Sequence, residues 1–452
     1  MTDTPSLAIV LAAGKGTRMK SASPKVMHAI ACEPMVAHVT RTAQSAGIGH
    51  CALVLAPGMD AVAKASAHPG LAVEVHVQTE QLGTAHAVMA ARGAYEKFPG
   101  PVVVLYGDTP LLTARTVARV LERLGSGADL VVLGFRAADP AGYGRLILDG
   151  KGDLAAIRED KDASAEEKKI DLCNSGVFGF RGGVLAGLLE RIGNDNAKGE
   201  YYLTDAVEIA RGDGLKAEAV ECDEREVLGV NSRDQLADAE SELQQRLRRA
   251  AMEGGATLVA PETVFLASDT RLGRDVVVEP FVFFGPGVTV EDGATIRGFC
   301  HLEQSRIGAG TSVGPFARLR GGADIGANAR IGNFVELKNA TFGEGAKASH
   351  LTYVGDASVG SKANIGAGTI TCNYDGFTKS RTEIGEGAFI GSNSALVAPV
   401  KIGEGAYVGS GSVISKDVPA DALAVTRGPL TQLPHWASRM RSRKQAKKGN
   451  KE

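Results

Sequence analysis

Cysteine is sparse in this chain of 452 residues: six in all, Cys32, Cys51, Cys173, Cys222, Cys300 and Cys372, with no Cys-x-x-Cys pair among them. That scatter argues against a zinc site and against a disulfide framework, and it suits a reducing, cytoplasmic compartment. An excess of charge is missing too. With 50 basic and 52 acidic residues, no global field draws in nucleic acid or an anionic membrane surface, so partners must be recognised locally. No apolar run approaches the roughly 18 residues of a membrane span. The short run at 7–13 follows Asp3, where a signal peptide has basic residues, and leads into a charged Gly-rich loop. It therefore reads as a strand. Tryptophan occurs once, at Trp436, just ahead of an Arg- and Lys-rich tail at 439–451. Such a tail reads as a solvated, disordered terminus, with the indole available to dock it on a neighbouring subunit.

What is present is a repeat. From about residue 264 to 414 an aliphatic residue returns at every sixth position: Ile307, Val313, Leu319, Ile325, Ile331 and Leu337, then Ile384, Ile390, Leu396, Ile402, Val408 and Ile414. Many are followed by Gly, as at Gly308, Gly326, Gly332, Gly385, Gly391 and Gly403. A period of six fits neither the 3.6 of a helix nor a heptad, and hairpins alternating with period two would not hold one phase through six hexads. Short strands joined by tight turns do fit, giving a hexapeptide parallel β-helix. About three hexads make one coil, and equivalent aliphatic positions stack roughly 4.8 Å apart into internal ladders. Segments that break the phase become excursions, where a solenoid places chemistry. They fall between Leu337 and Val359 and at 371–383.

The first half alternates differently. A strand at 7–13 precedes a helix at 35–46, strands at 50–56 and 73–78, and a strand at 101–105 that ends in Tyr106-Gly107-Asp108. Strands separated by helical segments give an α/β unit with a largely parallel sheet, whose ligands sit at the carboxyl ends of the strands. At the first such end lies Gly14-Lys15-Gly16-Thr17-Arg18-Met19, with Lys25 close behind. Backbone N–H groups of such a loop can approach phosphate, although it has neither the Walker A ending nor the G-x-G-x-x-G pattern. Asp108 either holds Mg²⁺ on phosphates or caps a turn with Pro110. The polar stretch 78–85 either hydrogen-bonds a base or starts a capped helix. Between the halves, 234–251 has helix-forming composition with Leu236, Leu243 and Leu247 at helical spacing, and it reads as a rigid spacer. The expected domains are 1–231, a linker helix at 232–252, and 253–452.

The strings LAAGKGTRM, QLGTAHA from Gln81, YGD from Tyr106, GYGR from Gly142, NSG from Asn174, GEYYLTD from Gly199 and GVN from Gly229, with Pro24-Lys25, carry a resemblance. The chain resembles the sugar-nucleotide pyrophosphorylases, specifically the bifunctional N-acetylglucosamine-1-phosphate uridyltransferases / glucosamine-1-phosphate acetyltransferases. In that family a Rossmann-like uridyltransferase domain precedes a left-handed β-helix, and the resemblance covers nearly the whole chain. It implies a cytoplasmic homotrimer that acetylates glucosamine 1-phosphate with acetyl-CoA and then couples the product to UTP. The resulting UDP-N-acetylglucosamine is a precursor of bacterial peptidoglycan and lipopolysaccharide.

For the first half the resemblance implies that Leu11, Ala12, Ala13, Gly14, Gln78, Gly83, Thr84, Tyr106, Gly107, Gly144, Glu159, Asn174 and Asn231 contact the uridine nucleotide and sugar. Lys25 would contact phosphate, and Asp108 and Asn231 would hold Mg²⁺. For the second half it implies His350 as the general base, with Arg320, Lys338, Tyr353 and Asn364 on the sugar phosphate. Ala367, Asn373, Tyr374, Ser392, Ser410 and Arg427 would line the acetyl-CoA site. One departure is Gly321, where that family's pattern has Pro; Gly loosens the loop after Arg320. Two other readings compete: a nucleotidyltransferase whose β-helix only assembles subunits, and a scaffold that binds without turnover. The scaffold predicts missing metal or base residues, yet Asp108, Asn231 and His350 are all present.

Overall fold

The structure is a computed structural model and describes residues 4–14 and 16–449. Asp3, Lys15 and Lys451, which enter the readings above, lie outside the described residues. The chain divides into two compact units, one reaching Ala250 together with Leu266–Ser268, the other comprising Ala251–Phe265 and the chain from Asp269 onward.

The first unit is built on a sheet with the strand order Ala217–Cys222, Leu130–Arg136, Leu172–Phe180, Val102–Tyr106, Leu7–Leu11, His50–Leu55 and Ala72–Val77. Neighbours run parallel except Leu172–Phe180, which is antiparallel to the strands on both sides of it. Central strands such as LAIVL and VVVLY are apolar at consecutive positions because both faces of the sheet are covered. Leu7 and Ile9 enter one core, where helices Thr84–Met89 and Ala206–Gly212 add Ala85, Val88, Val207 and Ala210. Ala8 and Val10 enter the other, where Met35–Ser45 and Ala114–Gly125 add Val36, Val39, Val117 and Val120. Thr113 caps the last of these helices by accepting from Thr116 N at 3.2 Å.

The helix expected near 234–251 is present as Arg233–Glu253. It is not a free spacer: Leu236, Ala239 and Leu243 pack with Ile30, Met35, Leu111 and Val230 of the first unit. The tail departs from expectation as well. Trp436–Gly449 is a helix, not a disordered segment, because Arg, Lys, Gln, Ala and Met favour helix and no Gly or Pro interrupts them before Gly449. Trp436 itself is exposed.

In the second unit short strands pair in parallel with the third strand along the chain, the pattern of a β-helix with three strands per coil. One internal column runs Val290, Ile307, Ile325, Phe342, Val359, Ile384 and Ile402, each in register with the next. All twelve six-residue repeat positions named from the sequence are buried. The two expected disturbances also appear. At the first, Arg330–Phe342 and Lys347–Val359 become unbroken strands paired across a corner of the coil. At the second, the step from Ile365 to its partner Ile390 exceeds the step from Ile307 to Ile325 by seven residues. Tyr374, Asp375 and Phe377 sit on that excursion, tied by an Asp375 turn to Phe377 N and Thr378 N.

Candidate functional site

The first cluster gathers at the carboxyl ends of the parallel strands, where open α/β sheets hold ligands. Leu11 ends its strand beside Tyr106, and Gly107 N donates to Leu11 O at 2.9 Å. Ala12 and Ala13 are buried behind Gly14. Gly16 presses on the stem of Lys25, whose Cβ a side chain at Gly16 would meet at 2.6 Å. The Lys25 ammonium pairs with the Asp108 carboxylate and donates to Asn231 Oδ1 at 2.9 Å. Val230 N binds Asp108 O at 2.9 Å, which fixes the two oxygen-bearing residues relative to each other.

Gly144, Glu159 and Asn174 meet a short way off. Asn174 N donates to Gly144 O at 2.7 Å, and a Cβ on Gly144 would lie 3.5 Å from Glu159 Oε1. Burial pushes the Glu159 carboxyl up, while a Thr204 hydroxyl at 3.3 Å partly offsets this. The Tyr106 phenol, pushed up by burial and then by Asp108 and Glu159, bonds Thr84. Thr84 in turn accepts from Leu203 N at 3.0 Å, and Ala85 N donates to Tyr201 O at 2.9 Å. The GEYYLTD string thereby fastens the Gly83-Thr84 loop. Gln78 is buried with Nε2 3.2 Å from His86 Nδ1. Gln81 and Thr204 were not singled out from the sequence, although both lie inside the quoted strings; Gln81 Nε2 reaches Ala13 O at 2.5 Å.

The second cluster lies on the β-helix. Arg320 and Lys338 are in register on adjacent coils, and Tyr353 follows on the next coil of the same face. Asn364 does not share that face: it is in register with Lys347, on the face before the corner. His350 stands at that corner, exposed, with Nδ1 2.6 Å from Asn333 Oδ1. It lines a cleft of about 430 Å³ with Arg297, Ser312, Arg330, Asn333 and Ser349. Above it, Ala367, Ser392 and Ser410 occupy the same corner of successive coils, linked by Asn393 N to Ala367 O and Gly411 N to Ser392 O. Arg427 closes the series over Gly409 and Gly411. Asn373 roots the excursion beneath Tyr374 and donates to Asp356 at 2.5 Å. The Asp356 carboxyl is lowered overall: burial opposes this, but bonds from Asn339 and Asn373 and the nearby Lys338 outweigh it. Asn333, Glu336 and Asp356 were also missed as site residues; Asp356 lies between Leu337 and Val359, where the six-residue phase breaks, and the other two lie just ahead of that stretch.

The MobA-like NTP transferase domain family matches residues 8–169, and the bacterial transferase hexapeptide family matches 305–339 and 381–416. The chain is 59% identical to the bifunctional protein GlmU of Azorhizobium caulinodans over 442 residues, 98% of each chain. It is 59% identical to that of Xanthobacter autotrophicus over 449 residues, covering 99% of this chain and all of the relative. With that of Paramagnetospirillum magneticum the identity is 54% over the full length of both. The chain belongs to the bifunctional GlmU family. It is a transferase with a nucleotidyltransferase half and a hexapeptide acyltransferase half, as the motifs implied. Among the described residues no helix is long and apolar enough to cross a membrane, and no group of three or more His, Cys, Asp or Glu could hold a metal.

Proposed function

We propose that this chain makes UDP-N-acetylglucosamine in two steps on two sites, one in each unit, with the division near the Arg233–Glu253 helix. The β-helix acetylates glucosamine 1-phosphate with acetyl-CoA, and the α/β unit joins the product to UTP with release of pyrophosphate. What supports this most directly is that residues far apart in sequence, such as Lys25, Asp108 and Asn231, converge within one unit on one charged point.

At that point a carboxylate and an amide oxygen both face a single cation, the Lys25 ammonium. Two hard oxygen donors of this kind fit Mg²⁺, which takes its remaining ligands from water and phosphate. When bound there by Asp108 and Asn231, Mg²⁺ supplies charge neutralisation at the phosphates of UTP. Lys25 adds its own positive charge at the same phosphates. Gly144, Glu159 and Asn174 hold the sugar 1-phosphate so that its phosphate oxygen attacks the α-phosphorus as pyrophosphate departs. The protein positions and neutralises, so no covalent nucleophile is required.

In the second unit Arg320, Lys338 and Tyr353 give two cations and a hydroxyl on one face, which suits a phosphate. Asn364 reaches the sugar from the neighbouring face. His350 takes a proton from the sugar amine, and the freed lone pair attacks the thioester carbonyl. The amide C–N bond forms, and the C–S bond breaks to release coenzyme A. The corner of small residues Ala367, Ser392 and Ser410 gives an elongated donor a path along the solenoid, ending at Arg427.

The same corner supports a homotrimer. Below His350 it carries Phe281, Phe299, Phe316 and Phe334, stacked with ring centroids 5.1, 4.9 and 5.1 Å apart, and Leu351 above them. Each of the five is exposed and has a left-handed φ between 48° and 61°. At the preceding corner Gly293, Gly310, Asn328 and Gly345 take that conformation, as sterics favour. A bulky side chain there costs about 1–2 kcal/mol, so an exposed aromatic column is explained by burial against further copies of the chain. Unpaired thiols at Cys51, Cys173, Cys222, Cys300 and Cys372 suit the cytoplasm. Incubation with glucosamine 1-phosphate, acetyl-CoA, UTP and Mg²⁺ should yield UDP-N-acetylglucosamine. Omitting acetyl-CoA should stop the sequence before the acetylated sugar, and omitting UTP should stop it after. Acetylation without subsequent uridylyl transfer, or the reverse, in complete mixtures would defeat the two-site reading.

A further inference from the structure

We infer that Asn333 is a positioning residue for acetyl transfer, holding the His350 imidazole in the tautomer and orientation in which Nε2 can take a proton. The inference rests on the reading of His350 as the general base. Asn333 Oδ1 lies 2.6 Å from His350 Nδ1. An amide oxygen only accepts, so Nδ1 must carry the hydrogen. The neutral ring then has its lone pair at Nε2, the atom turned away from Asn333. Were Nδ1 the acceptor, Nε2 would carry the hydrogen and the ring would be no base at that atom.

The backbone makes the pairing rigid. Asn333 and His350 are directly in register on adjacent coils, inside strands Arg330–Phe342 and Lys347–Val359, which stay paired from Arg330 and Lys347 to Phe342 and Val359. Gly332 lies so close to Ser349 that a Cβ would strike the Ser349 carbonyl, so the two coils cannot spread at this point. The Thr352 hydroxyl donates to His350 O at 2.7 Å and fixes the following turn. Asn333 and His350 both line the same cleft. An orienting partner at this distance restricts ring rotation without adding charge, the role an asparagine fills in Cys-His-Asn sites. The charged residues that line the cleft with the ring are Arg297 and Arg330, from the preceding coils. On the coil that follows, Gly368 N donates to Leu351 O at 3.1 Å, and its neighbours Gly366 and Ala367 carry no charge. No carboxylate stands among the residues lining the cleft.

The test uses the full-length enzyme with glucosamine 1-phosphate and acetyl-CoA. Asn333→Ala should lower kcat about ten- to a hundredfold, as loss of an orienting partner typically does, with KM for either substrate within a few-fold. Asn333→Asp keeps an acceptor of the same shape, so it should recover most of the rate at high pH. Its added carboxylate favours imidazolium, so the acid limb of the kcat profile should move to higher pH. A residue needed only for packing would not move that limb. The double variant Asn333→Ala with His350→Ala should be no slower than His350→Ala alone, because one group acts through the other. If His350→Ala is inactive but Asn333→Ala keeps its rate, or if the two losses multiply in the double variant, the positioning role is overturned and the base stands. If His350→Ala itself stays active, the base reading fails and this inference with it. Should Asn333→Ala not fold, the isosteric Asn333→Asp decides alone: an unmoved acid limb overturns the role.

Discussion

Arg320 donates through Nε to Glu336 Oε1 at 2.7 Å, a diagonal pair across two neighbouring coils. The pair bears on the departure at Gly321, which the sequence suggested would loosen the loop. Gly321 has φ +60°, a value proline cannot adopt, and Gly322 N is held by Gln304 O at 2.9 Å. The loop is therefore bound on both sides of Gly321 instead of loose. A Cβ at Gly321 would meet nothing nearer than Lys338 Cγ at 3.7 Å, so Gly321→Ala should cost only the left-handed penalty, about 1–2 kcal/mol in denaturant melts. Gly321→Pro should also pull Arg320 from its partner and raise KM for glucosamine 1-phosphate by about tenfold or more, the loss expected of one charged contact. An unchanged KM in Gly321→Pro would show that Arg320 does not bind the substrate.

The six-residue repeat was legible because each ladder position has one environment and that environment is apolar, so Ile307, Ile325 and Ile384 read directly as core. The α/β unit was legible for the same reason, through its apolar strands. What was not legible depended on contacts distant in sequence. Asn333 gains its meaning only from lying beside His350, seventeen residues away, and Lys25 reaches partners 83 and 206 residues along the chain. The 234–251 helix read only as a rigid spacer because a short stripe of Leu236 and Leu243 does not reveal that Met35 and Leu111 cover it. The basic tail misled because the composition of a charged coil is also that of a helix former. The aromatic corner was invisible because Phe carries no signal for a positive φ.

Asp108→Ala should lower uridylyl transfer by about two to three powers of ten while leaving acetyl transfer within a few-fold. It removes the carboxylate paired with the Lys25 ammonium and leaves the bond to Asn231 Oδ1 in place. Both half-reactions are read separately on one preparation. Equal loss of both in folded protein would mean that the two sites are not independent.

Asp205 ends the turn Leu203–Asp205, and its carboxyl is pushed up to about 6, chiefly by burial and then by Glu208 and Glu159. A carboxyl whose folded pKa exceeds its unfolded value of about 4 binds its proton more tightly when folded. It therefore favours the fold at low pH and loses that contribution as pH rises from about 4 through 6. Asp205→Asn removes the ionisation, so the variant should melt higher than wild type at pH 8. The difference should narrow as pH falls from 6 towards 4. A gap that is absent at pH 8, or that widens in acid, would contradict the raised carboxyl.

The aromatic corner gives the sharpest test of assembly, because two of its residues, Phe281 and Phe299, are not among those lining the cleft. Phe281 and Phe299 lie below the residues lining the His350 cleft, which include Phe316 and Phe334. Glycine accepts a φ near +60° without penalty, so Phe281→Gly with Phe299→Gly should relieve strain in each coil, not add it. Burial of a phenylalanine contributes roughly 1.5–3 kcal/mol, and a closed trimer would lose two such side chains from each of its members. The expected result is a folded, monomeric protein by light scattering at dilute concentration, with uridylyl transfer retained and acetyl transfer lost together with the trimer. Raising the protein concentration should restore both assembly and acetylation in parallel, since mass action governs the loss. Acetyl transfer that persists undiminished in the monomer would show the β-helix site complete within one chain, and a trimer that persists would show that the aromatic column is not its interface.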